Sequence, residues 1–519
     1  MTTLSAGEIR AHETITTSSR SLSFWLLVSL CIFSALLARC CYMVRPFDSD
    51  GSMFIFMGRL ITEGGRFCHE FSDNKFPTVG LITSVAWRAF GPVWRQYILL
   101  ETAMSLLGAC LLARMAGRRF GEHAVTPTLL YAIVHLNICF VVFGGFQLET
   151  LQMFFSILAA GAALELLDSG DWRDGITLGL ATGCAMMLKP TGASVAIATL
   201  LTLLVFPSIA DGKPAAGTRL IALRRASISM AIGVSLPAAV TLFYLIRSDN
   251  LHDMPALYRQ ISLYAKNSSW DAWDLIKPAT VSILGGFPML VRGGIFRRGR
   301  DRLNIPINRS ATFFAMAWLA LELFGVVAQR RMYAYHFMVM GPPMALLFGL
   351  LPRRDRLAPL AASLIPMCLF SIYGASLVIG LGYQGREHLE ESDYLLTHTT
   401  SADSVWEDDA ARLWLETGTQ PGARYPLTFL FANYDSAGLE YGSQIIRDFE
   451  HRQPKYIVLR ADFEPFLAHQ GHEILELNRF AVRRENFVTA WRNIRSFVLA
   501  NYVKETRIGR EEIYRRRES

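Results

Sequence analysis

Long apolar runs, repeated along the chain and parted by short arginine-rich stretches, constrain this sequence more than any other feature. Most of the runs are roughly 18 to 24 residues long, what a helix needs to cross about 30 Å of hydrocarbon. They fall near 22–44, 97–114, 124–142, 150–167, 175–189, 192–207, 227–246, 279–291, 311–328, 337–351 and 358–381. Only 18% of the residues are charged, against about 25% in a soluble protein, so much of the chain does not face water. No small-residue cleavage site follows the first run, Leu22 to Val44, which therefore reads as a retained anchor. The expected fold is an all-α polytopic membrane domain over 22–381 with about eleven transmembrane helices.

A net charge of +7 invites a nucleic-acid reading, but the basic residues do not form a face or a tail. They cluster between apolar runs: Arg114, Arg118 and Arg119; Arg173; Lys213, Arg219, Arg224 and Arg225; Arg292 to Arg309; Arg353, Arg354 and Arg356. With residues 1–21 in the cytoplasm, every dense cluster falls on the cytoplasmic side, as the positive-inside rule requires. Nucleic acid is thereby excluded as a partner, and a multi-pass protein of the cell (inner) membrane is expected. Eleven spans leave residues 382–519 outside. Their pattern is that of a small α/β domain, with buried strands at Thr428–Ala432 and Tyr456–Leu459 and helices at Ala437–Phe449 and Glu485–Tyr502. Glu512–Arg516 would add an edge strand. The eight cysteines show no metal-binding spacing.

The outside loop 45–96 is the informative one. After Asp50, Met53, Phe56, Met57, Leu60 and Ile61 make one apolar helical stripe, Arg59 and Glu63 share the polar side, and Gly64-Gly65 ends the helix. A second short helix starts at Pro77 and runs to about Phe90. Neither is long enough to span, so both are expected to lie in the membrane interface, holding Asp48, Asp50, Asp73 and Lys75 at its level. Such residues suit sugar transfer from a polyprenyl phosphate. A carboxylate, Asp50 or Asp48, takes the proton of the acceptor hydroxyl. The departing phosphate is an anion and needs cations, for which Lys75, Arg330 and Arg331 are candidates. The last two stand outside, against the charge bias, beside Tyr333, Tyr335 and His336.

The run from Phe47 to Phe90, Phe-Asp-Ser-Asp-Gly-Ser-Met-Phe, then Glu-Gly-Gly, Ser-Asp-Asn-Lys-Phe-Pro and Ala-Phe-Gly-Pro, resembles the first outside loop of GT-C glycosyltransferases. These include bacterial relatives of protein O-mannosyltransferases and lipid A aminoarabinose transferases. The resemblance implies that Asp50 is the catalytic base, with Gly51 where the family has Glu, which leaves open whether Asp48 shares or takes the role. It makes Asp73-x-Lys75-x-Pro77 the donor-phosphate motif, with Phe76 replacing a proline. Arg95 matches an arginine ahead of the second span, Lys189 a lysine at the outer end of the fifth. Arg331-x-Tyr-x-Tyr335-His336 before Gly-Pro-Pro matches a Tyr/His segment. Also implied are a polyprenyl-phosphate sugar donor, an envelope acceptor (lipid, polysaccharide or protein) and no cofactor, a divalent metal being left open.

Plainer readings stand beside these. An aspartate at a helix start can merely cap it, Lys75 can be an interfacial snorkelling lysine, and Arg330 and Arg331 can hold lipid headgroups. Glu322, within a span, is expected to pair with an arginine or stay protonated. His69, Glu70 and His252 are metal-ligand types at an undiagnostic spacing, and solvated loop residues are the simpler reading. A flippase for lipid-linked sugars or a non-catalytic envelope scaffold would share the helical architecture. Of these, the flippase also needs an ionisable path through the bilayer.

Overall fold

The computed structural model describes residues 29–37, 39, 43, 49–73, 75–138, 146–206, 216–266, 308–329, 334–350, 384–407, 411–425, 437–461 and 485–518. The expected spans at 279–291 and 358–381, the strand at Thr428–Ala432, and Asp48, Arg330 and Arg331 lie outside the described residues. In chain order come α1 (Ser49–Thr62), α2 (Pro77–Phe90), α3 (Trp94–Phe120), α4 (Val125–Ile138), α5 (Leu148–Ser169) and α6 (Trp172–Leu188). They are followed by α7 (Ser194–Val205), α8 (Ala216–Arg247), α9 (Met254–Lys266), α10 (Arg309–Ala328) and α11 (Gly341–Gly349). Among the described residues α3, α5, α10 and the Leu220–Arg247 part of α8 are long and apolar enough to cross a membrane.

Two arginine clusters expected in loops are helical instead. Arg114, Arg118 and Arg119 belong to α3, and Arg219, Arg224 and Arg225 to α8. A helix satisfies its own backbone whatever surrounds it, and arginine is a good helix former, so both helices run past their apolar segments. Arg118 and Arg119 then reach Glu165 of α5 at 2.8 and 3.2 Å, and Arg119 also pairs with Asp168. Helices α6 and α8 pack closely through Gly175, which faces the Ser229 side chain, and through Gly179 and Gly183, which meet the α8 backbone, a small-residue stripe of the kind that joins membrane helices. A Cβ on Gly179 would sit 2.1 Å from the carbonyl oxygen of Met230. Glu322 takes no arginine among the described residues. It accepts from Ser194 Oγ (2.5 Å) and Trp318 Nε1 (2.8 Å), tying α7 to α10.

Toward the C-terminus, α12 (Gln384–His398), α13 (Arg412–Thr417), α14 (Gly438–Arg452) and α15 (Glu485–Asn501) accompany a five-stranded sheet. Its strands are β1 (Ser404–Glu407), β2 (Gln420–Pro421), β3 (Tyr456–Arg460), β4 (Tyr502–Ile508) and β5 (Glu511–Arg516), in the order β2-β1-β3-β5-β4. β1 pairs in parallel with β2 and β3, whereas β5 pairs antiparallel with β3 and β4. The expected edge strand at Glu512–Arg516 is thus interior, because β4 covers it.

The polar side expected for α1 is not free. Residues 51–60 are buried throughout, and Phe56 packs on Trp414 with ring centroids 5.0 Å apart. One apolar core joins α1, the turn at Phe67–Phe71, Trp406, Trp414 and Ile457. Arg59 is buried and donates to the carbonyls of Trp414 (2.6 Å), Gly418 (2.6 Å) and Thr419 (3.2 Å), capping the C-terminal end of α13. Glu63 completes the pair at 2.9 Å but is 45% exposed. Replacing Arg59 with Met strands these buried carbonyls and should cost about 1–3 kcal/mol. Glu63→Gln removes only a surface bridge, worth about 0–1 kcal/mol. Thermal unfolding of the purified variants checks the order: equal melting temperatures would show that Arg59 is not the link between α1 and α13.

Candidate active site

The termini of α1, α5 and α6 and the start of α2 meet at one end of the helical bundle. That end is opposite Arg118 and Arg119. These arginines pair with the C-terminal turn of α5, whereas Glu149 is the second residue of the same helix, which spans 22 residues. At about 1.5 Å per residue the two ends stand roughly 30 Å apart.

Local chemistry places each side chain. Asp50 lies in the first turn of α1, where a helix dipole favours a negative group. Gly58 lets α1 lie against α2: a Cβ there would meet the backbone of Thr83 at 2.5 Å. Thr83 Oγ1 in turn donates to the carbonyl of Phe54 at 2.7 Å. The turn between the helices therefore returns Asp73 and Lys75 toward the start of α1. Pro190 obliges Lys189 to be extended (φ −148°, ψ 138°), which ends α6 and turns the lysine aside. Thr78 Oγ1 donates to the carbonyl of Met187 at 2.5 Å, fastening α2 to that same helix end.

The result is a group of alternating charges. Lys75 Nζ stands 3.9 Å from Asp73 Oδ2, and Asp73 is buried. Lys189 forms an ion pair with Glu149, whose Oε1 is also 3.5 Å from His336 Nε2. Asp50 feels all four neighbouring charges. Burial holds its carboxyl above the usual carboxylate range. Lys75 opposes this, Asp73 and Glu149 add to it, and Lys189 opposes it again. A carboxyl kept proton-hungry beside two ammonium groups can act as a base next to a bound anion.

Residues 74–248 match the family model described as dolichyl-phosphate-mannose-protein mannosyltransferase. The fold is similar to that of ArnT from Cupriavidus metallidurans bound to undecaprenyl phosphate, with a TM-score of 0.59 and 14% identity. The match covers 94% of this chain and 97% of that one. The chain shares its fold with ArnT. The same ArnT in the apo state gives a TM-score of 0.58 and 13% identity over 95% of this chain and 98% of that one. No curated protein matches the sequence.

Within this fold the structure brings together Asp50, Asp73, Lys75, Lys189 and His336. It does not join Arg95 to them by any described contact: the side chain is exposed and Nε donates to the carbonyl of Met43 at 3.2 Å. Only the backbone of Tyr335 is described, in the 3-10 turn Ala334–Met340. Glu149 is the residue that sequence reasoning missed. Its only local signal is a carboxylate in the first turn of an apolar helix, and capping explains that equally well. Behind it, Glu101 of α3 accepts from the backbone N–H groups of Phe146 (2.7 Å) and Gln147 (2.8 Å), holding the start of α5. Arg39 backs Glu101 at 3.8 Å.

Proposed function

We propose that this protein is a GT-C glycosyltransferase that transfers a sugar from a polyprenyl-phosphate carrier to an envelope acceptor (lipid, polysaccharide or protein) on the extracytoplasmic face. The observation that carries this reading is the convergence of Asp50 with Lys75 and Lys189, a proton acceptor beside two cations at one end of the bundle. The undecaprenyl phosphate bound to ArnT, a protein of the same fold, supports the class of carrier. In the reaction, the acceptor oxygen attacks the anomeric carbon as Asp50 takes its proton. The bond to the phosphate oxygen breaks, and polyprenyl phosphate leaves with its electron pair and negative charge toward Lys75 and Lys189. A single displacement inverts the anomeric centre. Asp48, two residues ahead of Asp50, is the alternative base. Arg330, Arg331 and Tyr335 belong to the proposed donor pocket by sequence resemblance, as does Arg95.

The side follows from charge. The site lies at the helix ends opposite the arginine clusters, so the positive-inside rule assigns it to the outside. Residues 382–519 would stand there as an α/β domain, because Arg452 donates to the carbonyls of His69 (2.6 Å) and Glu70 (3.2 Å) in the outside loop. Two measurements test the reading. Purified protein in vesicles, given a labelled polyprenyl-phosphate sugar and envelope extract, should release polyprenyl phosphate and produce an acceptor of inverted configuration. An impermeant thiol reagent should label a cysteine placed at exposed Leu439 in intact spheroplasts, and should not label one placed at Arg118. The reverse labelling pattern would overturn the assigned side, and retention of configuration the mechanism.

A further inference from the structure

We propose that His69, His252 and Asp253 form a binding site for a zinc-class divalent metal ion, separate from the Asp50 group. His69 lies in the turn between α1 and α2, and the other two in the 3-10 turn Leu251–Asp253 between α8 and α9. The fold thus joins residues far apart in sequence. Asp253 Oδ2 is 3.0 Å from His69 Nε2 and 3.5 Å from His252 Nε2. One ligand atom from each residue lies within 4.8 Å of the other two.

Two imidazoles and a carboxylate are a common zinc donor set, and bonds of about 2.0–2.2 Å in a tetrahedron put neighbouring ligand atoms roughly 3.3–3.5 Å apart. Both separations from Asp253 are already close to that spacing. The His69–His252 edge closes by turning the His252 ring, whose side chain is 59% exposed. Asp253 Oδ2 and His69 Nε2 are buried atoms that face each other at 3.0 Å as an ion pair, and neither makes a well-directed hydrogen bond to any described residue. Buried polar atoms are normally partnered, and one ion would satisfy both. The other nitrogen of His252, Nδ1, is 3.9 Å from Asp249 Oδ1, placing a carboxylate where it would orient a ligating imidazole.

The backbone presenting the site is held. Arg452 grips the carbonyls of His69 and Glu70, Glu70 accepts from the N–H of Arg66 at 2.6 Å, and Ser72 N donates to Arg424 O at 2.7 Å. Glu70 is thereby used as a turn clasp and is not one of the ligands. None of the charges that dominate at Asp50 belongs to the trio. Its position instead makes it a clamp: the turn it would fasten leads within a few residues to Asp73 and Lys75. The inference stands whether or not Asp50 is the catalytic base.

The test uses the full chain in detergent, stripped with chelator and then given Zn2+ or Co2+. We expect one ion per chain, a tetrahedral Co2+ visible spectrum, and a Zn2+-dependent rise in melting temperature. His252→Gln alters an exposed ring, so it should keep the metal-free melting temperature of the parent. It should bind the ion roughly 10- to 100-fold more weakly, the range seen even when an outer partner of a ligand is lost. Asp253→Asn should do the same or worse, and His451→Ala, at an exposed histidine of α14, should bind like the parent. A parent that binds no ion, or His252→Gln and Asp253→Asn variants that bind it as tightly as the parent, would overturn the site. A plain His69–Asp253 ion pair predicts the first of those results.

Discussion

An Asp50→Asn variant should insert, purify and melt like the parent, and should transfer sugar about 10²–10⁴-fold more slowly, the usual contribution of a general base. Asparagine keeps an oxygen of the same reach and nearly the same volume, so the first turn of α1 loses little. What it loses is the ability to take a proton. The pH dependence of the parent protein's transfer activity should test the same assignment. Desolvation raises the pKa of Asp50, so its basic form is depleted at a higher pH than for an ordinary carboxylate. Activity should fall on acidification through that raised value and recover above it. Asp48→Asn belongs in the same experiment, because Gly51 interrupts the acidic pair that the family resemblance implies. If Asp48→Asn is inactive and Asp50→Asn active, the base lies two residues earlier and the chemistry is retained. Full activity of both single variants and of the double variant would remove this loop from catalysis.

What could be read from the sequence was whatever local chemistry decides. Gly64-Gly65 and Pro77 bracket α1 and α2 because a φ of +81° at Gly64 and a ring at the first helical position need no tertiary support. The apolar runs marked α3, α5, α8 and α10 for the same reason. Arg59 was misread because an amphipathic pattern records that one face is polar, without saying what that polarity meets. Here it meets the carbonyls ending α13, not water. β4 carries no apolar alternation because Lys504, Glu505 and Arg507 are exposed on an edge strand, which leaves a largely charged segment. Without β4, β5 reads as the edge. Glu149 and Lys189 stand forty residues apart, and only the return of α6 beside α5 makes them a pair. His69 and Asp253 illustrate the same limit: their spacing carries no metal signature, and the fold alone brings them to 3.0 Å.

The second large effect concerns Lys75. Lys75→Gln should lower turnover by about 10²–10³-fold, because removing one preorganised partner of a developing anion costs about 2.7–4 kcal/mol in the transition state. A lysine serving only to snorkel toward headgroups predicts a near-parental rate, so turnover separates the two roles. A pH profile then tests whether Lys75 also acts on the base. Lys75 is the largest influence lowering the Asp50 pKa, and Asp73 the next that raises it. Removing the ammonium should move the acid limb of the residual activity to higher pH. Removing the neighbouring charge with Asp73→Asn should move it to lower pH, although Asp73 also holds Lys75 at 3.9 Å and its loss should slow turnover as well. Lys75→Arg keeps the charge but not its compact form, so it should restore the pH limb more fully than the rate. Opposite shifts from two residues in one short turn are a signature that general destabilisation cannot produce. Parental turnover in Lys75→Gln, with an acid limb that does not move, would assign Lys75 to the lipid surface and leave Lys189 as the cation facing the leaving phosphate.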